Sequence, residues 1–463
     1  MSRGEQGYEI LTQRRLLLLG PPGTGKTHRL LYEMERAIER GVPPSRIAFG
    51  SFTRAAVKEA KDRACEKFSL TYDDLPYFRT LHSLCFYQLG LKRSDVFGRD
   101  ALQDLSELTG EQLTGKIELD APTLGDRGDA LLHLDQYARN VGCTLEEAWQ
   151  VHGASLDWFR LRRFVEAYKN LRRQTSLVDF TDMLLRYADD GRPVDVDLCL
   201  LDEAQDNTPC QWHVIERAFG HVPDLIVAGD DDQGVYSWAG ASSTALLEFS
   251  GEKEVIAQSH RLPRAVWELA QGVARGIERR YQKDFLPADR EGLVEWLSRP
   301  EEVDLETGKW LLLARTRRQL GELTALARDQ GVIYLFGGQS SADPEHVAQI
   351  VEYEKFRAGD PNLPLWHDAL LSIPLETREY YLSCLRRDRR ALNDPPRVRV
   401  ETIHGAKGLE ADRVLLLTDL NARILRGQEL DPDAEQRVLY VGVTRARESL
   451  YLVEPRIGRG YTL

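Results

Sequence analysis

The chain has 463 residues, 42% of them hydrophobic and 29% charged, too many for one hydrophobic core, so several globular domains are expected. No run of about 18 apolar residues occurs, and the N-terminal MSRGEQGYEILTQRR lacks the apolar centre of a secretory signal, so the expectation is a cytoplasmic protein with no membrane partner. The net charge of −12 argues against a uniformly basic nucleic-acid binder but leaves room for a local basic groove, and six cysteines without a CxxC pair argue against zinc, iron–sulfur and disulfide frameworks.

Strand-like apolar runs alternate with helical patterns in two stretches, as in parallel α/β sheets. The first stretch holds Leu16–Gly20, Arg46–Phe52, Leu198–Glu203 and Leu225–Asp230. The second holds Trp310–Arg315, Val332–Gly338, Val398–His404, Arg413–Asp419 and Ser449–Glu454. The expected fold class is therefore α/β, with two lobes that each carry a mainly helical insertion. The first lobe takes residues 1–85 and 176–255, around an insertion at 86–175. The second takes 256–338 and 398–463, around a shorter insertion at 339–397. Within the first insertion, Arg160–Arg173 (RLRRFVEAYKNLRR) gives one helix a basic face, either a nucleic-acid path or a solvated surface.

The segment GPPGTGKT follows an apolar strand and opens a helix, the context a phosphate-binding loop requires. Gly20, Pro21, Pro22, Gly23, Thr24 and Gly25 would form the cradle of backbone N–H groups, with Lys26 reaching the terminal phosphates of ATP and Thr27 offering a hydroxyl to Mg²⁺. In LCLLDEAQD two carboxylates end a buried strand, Asp202 to hold the magnesium and its water shell, Glu203 to activate the attacking water. Positive charge on the transferring phosphoryl group is expected from Arg261 and Arg445, which places ATP between the lobes. A fourth segment, VAGDDDQGVYSWAGA (Val227–Ala241), puts three aspartates and a glutamine beside two large aromatics. It is either an ordinary turn or a loop that senses a charged ligand at one end and grips something flat at the other.

In order along the chain these motifs resemble the UvrD/Rep/PcrA-like superfamily 1 DNA helicases. The resemblance runs from the phosphate loop through FTRAA (Phe52–Ala56), TLHSL (Thr80–Leu84), LVDFTDML (Leu177–Leu184), LDEAQD and the Val227–Ala241 segment. It continues through SHRLP, TIHGAKGLE (Thr402–Glu410) and LYVGVTRAR (Leu439–Arg447). It implies two RecA-like lobes, with Gln233 on the terminal phosphate of ATP and Tyr236 and Trp238 stacked on bases of single-stranded DNA. It adds Phe52, Thr53, Arg54, His82 and His404 as DNA contacts, and Glu410 and His260 as ATP contacts. The implied activity is an ATP-dependent helicase acting on single-stranded DNA and single-strand/duplex junctions with 3′-to-5′ polarity. Replication or repair proteins are the implied partners.

This chain departs from the family pattern in places. Ala239 stands where the family has arginine, His260 where it has an adenine-stacking tyrosine, and neither Gln6 nor Gln13 forms a clear adenine-reading motif. Relaxed base selectivity is expected, and the short second insertion suggests a compact monomeric motor with little self-inhibition. With 16 residues after Arg447, no fused nuclease domain is expected. Two other classes fit the phosphate loop: a protein-remodelling ATPase of the AAA+ kind, and a nucleic-acid-binding subunit that uses ATP as a switch without unwinding.

Overall fold

The computed structural model describes residues 13–115, 128–153, 156–360, 362–456 and 459–461. The chain divides into two units. One contains the residues up to His260 together with Glu278–Leu286, and the other contains Arg261–Ile277 and the residues from Pro287 onward. The backbone thus passes from one unit to the other three times between His260 and Pro287.

The first unit is built on a six-stranded sheet: β1 (Arg14–Leu19), β2 (Ile47–Gly50), β3 (Phe78–Arg79), β4 (Leu198–Leu201), β5 (Asp224–Gly229) and β6 (Glu252–Val255). They lie in the order β3-β2-β4-β5-β1-β6, and every pairing is parallel. A parallel sheet covered on both faces needs near-continuous apolar strands, and RRLLLL and LCLL supply them. The side-chain alternation is explicit: Leu17, Leu19, Cys199 and Leu201 enter one core, while Leu16, Leu18, Leu198 and Leu200 enter the other.

Residues 86–175 contribute the helices Arg99–Thr109, Gly128–Val141, Leu145–His152 and Trp158–Thr175. These have a core of their own, including Leu105, Leu131, Leu134, Leu161, Phe164 and Tyr168. The basic run on the last helix is partly used internally. Arg160 pairs with Glu111 at 2.7 Å and Arg172 with Asp182 at 2.6 Å, whereas Arg162, Arg163 and Lys169 are exposed.

The second unit holds a seven-stranded sheet in the order β10-β9-β11-β8-β12-β13-β7. Its strands are β7 (Leu293–Leu297), β8 (Trp310–Ala314), β9 (Tyr334–Phe336), β10 (Gln339–Ser340), β11 (Val398–Thr402), β12 (Ala411–Leu417) and β13 (Ala446–Val453). Only the short β10–β9 hairpin is antiparallel. Unlike the first insertion, the helices at Pro344–Arg357, Trp366–Ala369 and Leu375–Arg387 share the sheet's core. Ile350, Trp366, Tyr381 and Cys384 pack in one cluster with Leu312, Val400 and Leu415. No described helix is long and apolar enough to cross a membrane. The fold class is α/β, two lobes each built on a largely parallel sheet.

Candidate ATP and nucleic-acid site

Because every strand of the first sheet runs the same way, all their C-terminal ends lie on one edge, where ligands of such sheets bind. The neighbours β4, β5, β1 and β6 deliver four segments there: Asp202–Glu203, Asp230–Gln233, the phosphate loop and Ser259–His260. β2 and β3 end just before Phe52–Arg54 and Thr80–His82.

The phosphate loop requires its glycines for two separate reasons. Gly25, just before the helix Lys26–Glu39, has φ 81°, and a Cβ at Gly20 would sit 2.1 Å from Lys26 Cγ. Lys26 Nζ donates to the Gly20 carbonyl at 3.1 Å and lies 3.8 Å from Glu203 Oε1. Thr27 Oγ1 donates to Asp202 Oδ2 at 2.5 Å, so the two expected magnesium-binding groups already meet. Burial, then the neighbouring Glu203, push the Asp202 carboxyl up to about 6, against the opposing pull of Lys26 and Thr27. A buried carboxylate with a threonine hydroxyl bonded to it is a donor set that suits Mg²⁺.

Glu203 has a left-handed backbone, φ 53°. Among the described residues the other two non-glycine residues of positive φ, Ser69 and Ser176, are ordinary helix caps, whereas Glu203 carries the strain at a strand end among charged groups. Its carboxylate is held by a residue the sequence reading did not single out. Gln205, fully buried, donates from Nε2 to Glu203 Oε2 at 2.5 Å and accepts the Asp230 N–H at 3.0 Å. Asp230 in turn accepts from Gln233 Nε2 at 2.6 Å. Ser259 and His260 support the phosphate loop from the other side, through Ser259 Oγ to the Pro22 carbonyl (2.7 Å) and His260 N–H to the Gly23 carbonyl (2.8 Å). The His260 side chain is exposed. Gln13 donates to the carbonyls of Gly220 and Val222, at the opposite end of β1 from the phosphate loop, and Gln6 lies outside the described residues.

Four aromatic rings continue the same edge. Phe52, 36% exposed, stacks on Tyr236 with centroids 5.2 Å apart, and Tyr236 meets Trp238 edge-on at 6.3 Å. Trp238 is backed by His133 from the first insertion, stacked at 5.6 Å. Burial raises the Tyr236 phenol well above its usual range, so it stays neutral. Thr53 caps the helix Arg54–Phe68, accepting from Ala56 N–H at 3.1 Å, and Arg54 beside it is exposed. His82 sits edge-on to Phe180 at 5.7 Å, its imidazole held down to about 4 by burial and by Arg54.

The remaining candidates belong to the second unit. Arg261 pairs with Glu410 at 2.5 Å, and Arg447 pairs with the other Glu410 oxygen at 3.1 Å. Arg445 is buried, its guanidinium bonded to the carbonyls of Val441 and Leu409 and to Thr444 Oγ1. His404 is buried just beyond β11.

A model of the UvrD/REP helicase N-terminal domain matches residues 4–254, and one of the UvrD-like helicase C-terminal domain matches residues 377–455. The chain belongs to the UvrD/Rep helicase family. Among relatives, the ATP-dependent DNA helicase PcrA of Bacillus subtilis is 26% identical over 307 residues, covering 61% of this chain and 40% of PcrA. The putative ATP-dependent DNA helicase YjcD of the same organism is 22% identical across a 602-residue alignment, covering 97% of this chain and 78% of YjcD. Among solved structures, an arterivirus nonstructural protein 10 helicase matches at 13% identity with a TM-score of 0.36, covering 96% of this chain and 60% of that one. Both family models are helicase domains, which removes the ground for an AAA+ protein-remodelling reading.

Proposed function

We propose that this family member is an ATP-driven motor that moves 3′-to-5′ on single-stranded DNA and separates duplexes at junctions. The observation that carries the reading is the continuity of one short loop. Gln233 at its start is bonded through Asp230 and Gln205 to Glu203, and Tyr236 three residues later stacks on exposed Phe52. A change at the phosphate end of that loop therefore has a direct route to the base-stacking end.

In this mechanism the phosphate loop and Lys26 hold the phosphates of ATP. Thr27 and Asp202 would hold Mg²⁺, which when bound neutralises phosphate charge. The Glu203 carboxylate takes the proton of the attacking water, oriented by the Gln205 amide. Gln233 faces the terminal phosphate, and Arg261 and Arg445 supply positive charge for the transferring group. Glu410 holds Arg261, and the His260 backbone steadies the loop. Phe52, Tyr236 and Trp238 stack on bases, a sequence-tolerant grip because every base has a π-face. Thr53, Arg54, His82 and His404 complete the strand contacts, and the motor works as a monomer.

The deciding experiment is ATP hydrolysis with and without a single-stranded oligonucleotide, beside a Glu203→Gln control. Strong stimulation, lost in the control, supports the motor, and duplexes with a 3′ or a 5′ tail then test polarity. Robust hydrolysis indifferent to the strand would refute the coupling.

A further inference from the structure

The three aspartates of the Val227–Ala241 segment, Asp230, Asp231 and Asp232, are all fully buried. Carboxylates in such a position need charged partners. The partners come from the nine residues Glu278–Leu286, which rejoin the first unit after a helix of the second. Lys283, itself fully buried, lies 3.0 Å from Asp230 Oδ1 and 2.9 Å from Asp232 Oδ2, and it also bonds Asp231. Arg280 grips Asp232 with two bonds of 2.8 and 2.6 Å, and the Tyr281 N–H donates to Asp231 at 2.7 Å.

The same segment reaches the phosphate loop. The Leu286 N–H donates to the Ala257 carbonyl at 2.7 Å, and its carbonyl accepts from Ser259 N–H at 2.9 Å; Ser259 Oγ bonds Pro22. One short stretch therefore braces both the loop that holds phosphates and the turn that aims Gln233. The two oxygens of Asp230 are divided between Lys283 and Gln233, so the lysine sets the carboxylate that sets the glutamine. A buried ion cluster gains little stability over an apolar core of the same volume, but it fixes geometry sharply.

We propose that Arg280 and Lys283 are positioning residues for ATP hydrolysis, acting through the Asp230–Asp232 turn on Gln233. The inference rests on reading Gln233 as the group that faces the terminal phosphate. Because the segment is continuous at both ends with the second unit, it also gives movement of that unit a covalent route to Gln233.

The test is a double-mutant cycle between Arg280→Gln and Gln233→Ala, reading kcat for ATP and Kd for ADP, which lacks the terminal phosphate. A relay predicts that each single variant loses about tenfold or more in kcat, that the double variant is no slower than Gln233→Ala, and that ADP binding stays within about twofold. Multiplying losses, or ADP affinity falling together with kcat in Arg280→Gln, would overturn the relay and leave a merely structural brace. Gln233→Ala at wild-type kcat would instead overturn the reading of Gln233, and the relay with it. Lys283→Met leaves three buried carboxylates with less counter-charge and risks unfolding. Arg280→Gln, whose side chain is 14% exposed and leaves Lys283 in the cluster, keeps the question answerable.

Discussion

His133 lies against Trp238, ring centroids 5.6 Å apart and planes 30° from parallel, and its Nε2–H donates to the Trp238 carbonyl at 3.1 Å. A helix of the first insertion thereby supports the aromatic end of the loop whose other end carries Gln233. Burial holds the imidazole down to about 4, with His152 nearby acting in the same direction and the carbonyl bond opposing it.

That depression has a consequence for stability. An unfolded chain protonates this histidine near its ordinary value of 6.5, the folded chain only near 4, so the unfolded state binds the extra proton between those values. Stability is therefore undiminished above pH 6.5 and is lost as pH falls toward 4. The expected contribution is about 2 kcal/mol lost between pH 7 and pH 5. Thermal unfolding at both pH values, compared with His133→Phe, which retains a stacking ring without a titrating group, checks it. The variant should show the smaller pH dependence, and equal slopes would refute the assignment.

Phe52 and Tyr236 form one stacked pair, 5.2 Å between centroids, on the exposed edge of the sheet. If bases stack there, Phe52→Ala should weaken single-strand binding by about 1–3 kcal/mol, roughly 5- to 150-fold. The loss should be similar for oligo-dT and mixed sequences, since stacking reads no hydrogen bonds. Fluorescence anisotropy with a labelled oligonucleotide measures it, and basal ATP hydrolysis without DNA should fall far less than affinity.

Gln205 is the bridge between Glu203 and Asp230. Gln205→Glu removes the amide donor and sets a second carboxylate against Glu203, and two carboxylates so close do not both ionise readily. We expect kcat to fall about 10- to 100-fold, with the acid limb of the rate profile moved to higher pH and ADP affinity little changed. A variant with wild-type kcat and an unmoved acid limb would show that Gln205 has no hold on the base.

The sheets and the phosphate loop were legible because burial on both faces forces uninterrupted apolar strands, and because Gly25 answers to a left-handed backbone and Gly20 to the close approach of the Lys26 side chain. Short strands such as β3 and β6 were not. FR is two residues long and EKEV is mostly exposed, so neither carries an apolar signature. Gln205 lies inside an acidic motif, where an amide looks incidental. Its importance comes from reaching a residue 25 positions away. Lys283 was least visible of all, since an isolated lysine in YQKDF ordinarily reads as solvated, and only the fold brings it to three aspartates some fifty residues back. Ion partners that meet through tertiary return of the chain leave no period in the sequence.

Nucleotide selectivity provides the final test. The sequence places His260 where an adenine-stacking tyrosine is usual in the family, and in the fold its backbone is fixed to Gly23 while its ring is exposed. Gln13, the nearest upstream amide, is committed to the Gly220 and Val222 carbonyls at the far end of β1. If the phosphates are gripped by backbone and Lys26 as proposed, binding energy resides in the part that all nucleoside triphosphates share. Discrimination of 10⁴ or more is reached by hydrogen-bonding a base edge so that a wrong base leaves polar groups unpaired, and among the described residues Gln13 is committed elsewhere. We therefore expect kcat/KM for ATP and GTP to lie within about tenfold under saturating single-stranded DNA, and His260→Tyr to favour ATP. A preference for ATP of a thousandfold in the wild-type protein would refute this and require an adenine-reading group elsewhere.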